Sequence, residues 1–160
     1  MAAAVPVADA PPPLTTTVAC SDEVMESWGR KWGLPDGLNP DAIRAWRGAY
    51  GRTVWHWVAL DRGCGIDVCE WLKSRGLLDM INTDKRDGWS PLSSVVLRSQ
   101  QVPEAKARWM IANGADVNAV DNVVSDTIFI SACSSRSLSF MQELADKVTP
   151  DHLSRPGRFN

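Results

Sequence analysis

Thr53-Val54-Trp55-His56-Trp57-Val58-Ala59 returns 37 residues later as Ser90-Pro91-Leu92-Ser93-Ser94-Val95-Val96, and after the same interval as Thr127-Ile128-Phe129-Ile130-Ser131-Ala132-Cys133. Self-similarity at a fixed offset of this size marks a chain built from stacked supersecondary units. Each copy opens on a hydroxyl residue, which can accept a hydrogen bond from a free amide in the first turn of a helix. Pro91 stands just inside one such start, where a missing amide costs nothing. The spacing therefore predicts three short helices beginning at these points. The third position is always large and apolar (Trp55, Leu92, Phe129), and the last two are small or medium-sized. That pattern suits a helix packed closely between neighbours.

Working outward, apolar residues at three- and four-residue spacing predict a second helix in each unit, over residues 66–74, 103–113 and 138–147. Gly76 and Gly114 follow two of these helices, and glycine there enters the left-handed conformation without a side-chain clash. Polar, extended segments then run over residues 82–89 and 118–126 to the next hydroxyl residue. The unit is helix, turn, helix, extended loop, and the predicted class is all-α. Gly63-Cys64-Gly65 reads as a linker, because a phosphate loop needs further glycines and a lysine leading into a helix.

Gly114-Ala115-Asp116-Val117-Asn118-Ala119, followed by Asp121, resembles the end of an ankyrin repeat. Gly51-Arg52-Thr53-Val54-Trp55-His56 and Gly88-Trp89-Ser90-Pro91-Leu92 resemble its opening. The resemblance covers residues 51–148, about three repeats. There are departures: the period is 37 instead of about 33, Val54 and Ile128 replace the usual proline, and Ser93 and Ile130 replace the usual histidine. Ser125 or Val124 stands where a glycine is expected. The resemblance implies a non-catalytic module that holds a protein partner on its loop tips and concave helix face. It also implies that His56 hydrogen-bonds between adjacent loops.

Carried onto this chain, the concave positions are Trp57, Asp61, Ser94, Arg98 and Ser131. The projecting loops add Arg52, Lys85, Arg86, Trp89, Asn122, Val123 and Val124, since exposed loops on a rigid scaffold carry variable contacts. An accessory subunit built permanently into a larger assembly is the alternative reading, and its interface would be larger and more apolar. A small enzyme using His56 or a cysteine is the remaining one, and it would need a neighbouring acid in a pocket with a shifted pKa.

A repeat cannot bury its apolar face alone, so a stack needs caps. Residues 20–50 are expected to supply the amino-terminal one. Ser21 can cap a helix through Trp32, with Asp22 and Glu23 in its first turn, and Asp41 can cap another through Gly48. Trp28 and Trp32 would share a helix face, as would Ile43 and Trp46. Of the eight tryptophans, Trp55, Trp71 and Trp109 are then expected in the core and Trp28, Trp32 and Trp46 in cap packing. Trp57 and Trp89 are left as partner-binding candidates.

Composition bounds the rest. The chain has 160 residues, 44% of them apolar and 22% charged, with a formal net charge of -2. That describes one ordinary globular domain with no general attraction for nucleic acid or anionic membrane. No apolar run approaches the roughly 20 residues that cross a bilayer, so membrane insertion is not expected. Residues 1–19 are rich in Ala, Pro and Thr and lack a basic region followed by an apolar one, so no secretory signal is expected. They read as an extended tail, as do residues 149–160. Cys20, Cys64, Cys69 and Cys133 lack the paired short spacings of a metal knuckle or disulfide framework. Small buried thiols in a reducing, cytoplasmic compartment are expected, with no metal, no cofactor and no small-molecule substrate.

Overall fold

The computed structural model describes residues 20–83, 88–98, 104–120, 127–133 and 138–153. Lys85, Arg86, Asn122, Val123 and Val124 lie outside the described residues, as do the side chains of Arg98 and Ser131 and the tail over residues 1–19. Among the described residues the chain is all-helical, with one isolated antiparallel bridge joining Val120 to Thr127.

Three helices begin where the hydroxyl residues place them: α3 (Val54–Leu60), α5 (Pro91–Arg98) and α7 (Ile128–Cys133), numbered after two helices that precede them. Thr53 and His56 form a reciprocal capping box at the start of α3. The Ser90 hydroxyl accepts from the Ser93 amide at 3.1 Å, and the Thr127 hydroxyl from the Ile130 amide at 3.2 Å. These bonds satisfy amides that a helix start leaves without internal partners. Helix α3 packs on α5, and α5 on α7. Their facing sides are buried: Trp55, Val58, Leu92, Val95, Val96, Ile128 and Ala132 are each at most 2% exposed. Full burial of each larger side chain contributes about 1.5–3 kcal/mol.

The second helices are α4 (Ile66–Ser74), α6 (Glu104–Ala112) and α8 (Leu138–Ala145). Helix α4 packs on α6, and Arg108 of α6 reaches α8 through an ion pair with Glu143 at 2.7 Å. Gly76 and Gly114 have φ of 72° and 93°, the left-handed geometry that their placement after α4 and α6 requires. Beyond Gly76 the chain makes a single 3-10 turn, Leu77–Met80, instead of extending at once. Its cause is apolar, since Leu77, Met80 and Ile81 are all buried.

Helix α1 (Asp22–Trp32) is capped by the Ser21 hydroxyl, which accepts from the Val24 amide at 3.3 Å, and it ends at Gly33. Helix α2 (Pro40–Ala45) differs from expectation. Its cap is Asn39, whose side-chain oxygen accepts from the amides of Asp41 and Ala42 at 2.8 and 3.2 Å, and it stops well before Gly48. Asn39 precedes a proline suited to the first helical position, so the start lies two residues earlier than the Asp41 reading placed it. At the other end, Pro150–Leu153 forms α9 against α7, where the sequence reading had only a tail.

Side chains tie each unit to the next through backbone atoms. Arg44 of α2 donates to the Gly76 carbonyl at 2.6 Å. Asn82 donates to the Gly114 carbonyl and accepts from the Asp116 amide, both at 2.8 Å. The Asn118 side chain accepts from the Thr149 amide at 3.0 Å.

Candidate functional site

A polar and aromatic cluster lies where α1 meets the start and end of α3. Trp57, on α3, stacks on Trp32 of α1 with ring centroids 4.3 Å apart and planes inclined by 26°. Arg52, just before α3, places its guanidinium 5.1 Å from the Trp57 ring and 5.1 Å from the Tyr50 ring. On the far side, Lys31 lies 4.7 Å from the Trp32 ring and pairs with Asp61 at 2.9 Å. The result is one continuous ladder: Tyr50, Arg52, Trp57, Trp32, Lys31, Asp61. Cation over ring and ring over ring are both attractive through the ring quadrupole.

Glycine makes the ladder possible at one point. A β-carbon on Gly48 would sit 2.5 Å from Trp57 Nε1, so the backbone approaches the indole more closely than any side chain allows. The turn after it is closed by a hydrogen bond from the Gly48 amide to the Arg52 carbonyl at 2.9 Å. Tyr50, within this turn, has φ of 63° and is 70% exposed. A left-handed tyrosine costs about 1–2 kcal/mol.

Asp61 terminates the ladder and is a hub of its own. One carboxylate oxygen accepts from Trp28 Nε1 at 3.0 Å, Lys31 Nζ at 2.9 Å and Trp32 Nε1 at 3.2 Å. The other accepts from the Gly63 amide at 2.9 Å. Burial alone would raise its pKa, but the bonds from Lys31, the Gly63 amide, Trp32 and Trp28 together hold it below the ordinary carboxylate value. Its backbone carbonyl accepts from Lys106 Nζ at 2.8 Å, and the same ammonium reaches the Val58 carbonyl at 2.7 Å. Lys106 is only 3% exposed. It reaches from α6 to carbonyls at the end of α3, where the helix's internal bonds run out; the Asp61 carbonyl also accepts from the Cys64 amide at 3.3 Å. On the other flank of α1, Asp22 accepts from Trp71 Nε1 at 2.8 Å and from Arg75, which lowers its pKa through the same two bonds.

Several sequence-derived site residues occupy different roles from those expected. Arg52 and Trp57 do come together, and Trp57 is half-buried against Trp32 of α1 and Arg52. Its Nε1 is buried without an acceptor among the described residues. Asp61 is drawn inward, because three side-chain donors from α1 converge on it. Ser94 is 3% exposed and its hydroxyl donates to the Ser90 carbonyl at 3.1 Å, so the helix absorbs it. Trp89 is half-buried, with its carbonyl held by His56.

His56 is fully buried. Its Nδ1 accepts from the Thr53 amide at 3.1 Å, which leaves Nε2 protonated to donate to the Trp89 carbonyl at 2.8 Å. Both ring nitrogens are thus committed between consecutive loops. Burial pushes the thiols of Cys64 and Cys69 up to about 12. Cys133 corrects the expectation of buried thiols: it is exposed at the end of α7. Trp109, expected in the core, is half-buried on α6, its indole donating to Glu70 at 2.6 Å. A cavity of about 140 Å³ lies between α1 and the following turn, lined by Glu26, Arg30, Leu34, Asp36 and neighbouring residues.

Tyr50, Asn82 and Lys106 were not singled out from the sequence. A tyrosine flanked by Gly48 and Gly51 carries a turn signal that could have drawn attention to Tyr50. Among the described residues no helix is long and apolar enough to cross a membrane, and no group of histidine, cysteine or acidic side chains is arranged to hold a metal ion. Neither a protein-family model nor a curated protein sequence matches this chain.

Proposed function

We propose that the chain is a non-catalytic protein-interaction module, built as a short stack of divergent ankyrin-like repeats behind a helical amino-terminal cap and working in the cytoplasm. The observation that carries this reading is the equal spacing of α3, α5 and α7, packed side by side with each unit tied to the next. Repeat stacks contact only their neighbours and offer extended surfaces to partners. The committed ring nitrogens of His56 and the raised pKa of the buried thiols favour binding over catalysis as the use of this scaffold.

The test is affinity purification of the tagged chain from its native cells in mild salt, followed by mass spectrometry. A stoichiometric protein partner that disappears when Val123 and Val124 are both changed to Asp supports the module and its loop-tip contact. Recovery of the chain alone, as a stable monomer, overturns the reading.

A further inference from the structure

We propose that the turn over residues 46–52 is a strap that covers the Trp57 indole and lifts as a local unit, uncovering an N–H donor for a hydrogen-bond acceptor on the protein partner. This inference rests on the interaction-module reading and gives it a gate.

Most indole N–H groups of the chain are spent. Trp28 and Trp32 donate to Asp61, Trp55 to the Leu77 carbonyl, Trp71 to Asp22 and Trp109 to Glu70. Trp57 Nε1 is shut off from water and has no acceptor among the described residues. A donor covered in this way forfeits the bond it would make to water, so closing the cover carries a penalty that opening removes.

What covers it is the turn. Gly48 is wedged between two rings: a β-carbon there would lie 2.5 Å from Trp57 Nε1 and 2.8 Å from the tip of Trp46. The Gly48 backbone is extended, at φ -78° and ψ -169°, so space and not conformation calls for glycine. Two residues on, Tyr50 is left-handed at φ 63°, which is costly for a residue with a β-carbon. The strap thus closes against two penalties, one in the indole and one in the backbone.

It is also lightly moored. The Gly48 amide donates to the Arg52 carbonyl at 2.9 Å and the Gly51 amide to the Gly48 carbonyl at 3.1 Å, while the Arg47 side chain returns to the carbonyls of Arg44 and Trp46. All of these bonds stay within residues 44–52, and none of them ties the turn to α1 or to the body of α3. Arg47, Ala49 and Tyr50 are exposed, so lifting the turn gives up little buried surface. Backbone bonds that travel with a segment, and few buried contacts beneath it, mark a unit that opens on its own. Trp57 stays anchored meanwhile, because Trp32 of α1 holds its ring face.

The measurement is hydrogen exchange of the Trp57 indole N–H, followed by NMR in the isotope-labelled full chain and assigned by the loss of its peak in Trp57→Phe. Low urea leaves the Trp57 rate unchanged but raises that of the Trp55 N–H, since only the second waits on global opening. Gly48→Ala speeds Trp57 exchange about tenfold by keeping the strap from seating. Tyr50→Ile and Tyr50→Asn both remove the ring, but asparagine tolerates the left-handed region and isoleucine does not. Exchange is therefore about tenfold faster in Tyr50→Ile than in Tyr50→Asn. In every variant the Trp57 rate stays independent of urea, which a general loss of stability would not allow. The Tyr50 pair decides the matter even where Gly48→Ala fails to fold. A Trp57 rate that climbs with urea in step with Trp55, or equal rates in Tyr50→Ile and Tyr50→Asn, overturns the strap. In the affinity purification Gly48→Ala recovers several-fold more partner than the wild type, and Trp57→Phe, which keeps a ring but lacks the donor, several-fold less. Equal recovery by all three proteins overturns the gate alone, and no partner from any of them overturns the interaction module itself.

Discussion

Trp57 and Trp32 lie ring against ring, 4.3 Å between centroids, one contributed by α3 and the other by α1. Residues 29 and 30 positions before Asp61, Trp32 and Lys31, reach the same carboxylate at the foot of this pair. The amino-terminal helix is therefore fixed to α3 by a stacked ring pair above and a shared acceptor below.

Replacing either ring by alanine is expected to cost about 2 kcal/mol, less than for a fully buried aromatic because both rings are half-buried. The double replacement is expected to cost less than the sum by about 1 kcal/mol, the coupling typical of a stacked pair. A double-mutant cycle in urea measures this directly. Strictly additive losses would mean that the rings pack independently.

Asp61 makes stability depend on acid. Its folded pKa lies below the unfolded value of about 3.9. Its stabilisation is therefore complete above that pH and is lost as pH falls through the folded value. Asp61→Asn, which keeps the shape but not the charge, is expected to lose about 1–2 kcal/mol at pH 7 and to show a flatter decline below about pH 4. Urea midpoints of the two proteins between pH 7 and pH 2 check this, and parallel profiles would count against it.

Lys106→Met preserves the buried stem and removes the ammonium from the carbonyls of Val58 and Asp61. The buried Val58 carbonyl loses its donor and the Asp61 carbonyl keeps only a longer bond from the Cys64 amide at 3.3 Å, so a loss of about 1–3 kcal/mol is expected. Native-state hydrogen exchange should show faster opening of amides near the end of α3 and at the start of α6, while α8 stays protected. Uniform loss of protection through all helices would point to a general core defect instead.

Three of the four thiols should separate cleanly under iodoacetamide at pH 8. Cys133 is exposed and is expected to react first. Cys64 and Cys69 are buried, with pKa values pushed up to about 12, so thiolate and access are both scarce and reaction waits on opening of the fold. Mass spectrometry of the time course assigns the order. Early labelling of Cys69, which is wholly buried, would contradict the packing around α4.

The helix starts were legible because their cause is local. A hydroxyl before an apolar run satisfies free amides wherever it occurs, and Thr53, Ser90 and Thr127 all do so. Asn39 was missed for an equally local reason: Asp41 carries the same capping chemistry two residues away, and only the proline between them breaks the tie. Asp61, Ser94 and Lys106 were not legible, since their roles depend on groups 30 or more residues distant or on the packing of one helix against another. Lysine is almost never buried unless paired, and nothing near position 106 announces the two carbonyls waiting at the end of α3. Cys133 follows the small-residue pattern of its predecessors Ala59 and Val96, yet only they have a further helix of the α3, α5, α7 series beside them.

Several joints between units share one grammar: a side chain on one unit grips the main chain of its neighbour. The carbonyl of Trp89, at the threshold of the second unit, is taken by His56, and that of Val58 by Lys106. A gripped carbonyl is chemically the same in every amino acid, so the grip is indifferent to which residue it holds. Each such grip is thus written on one side only, and the position that receives it is free to change letter while the grip holds.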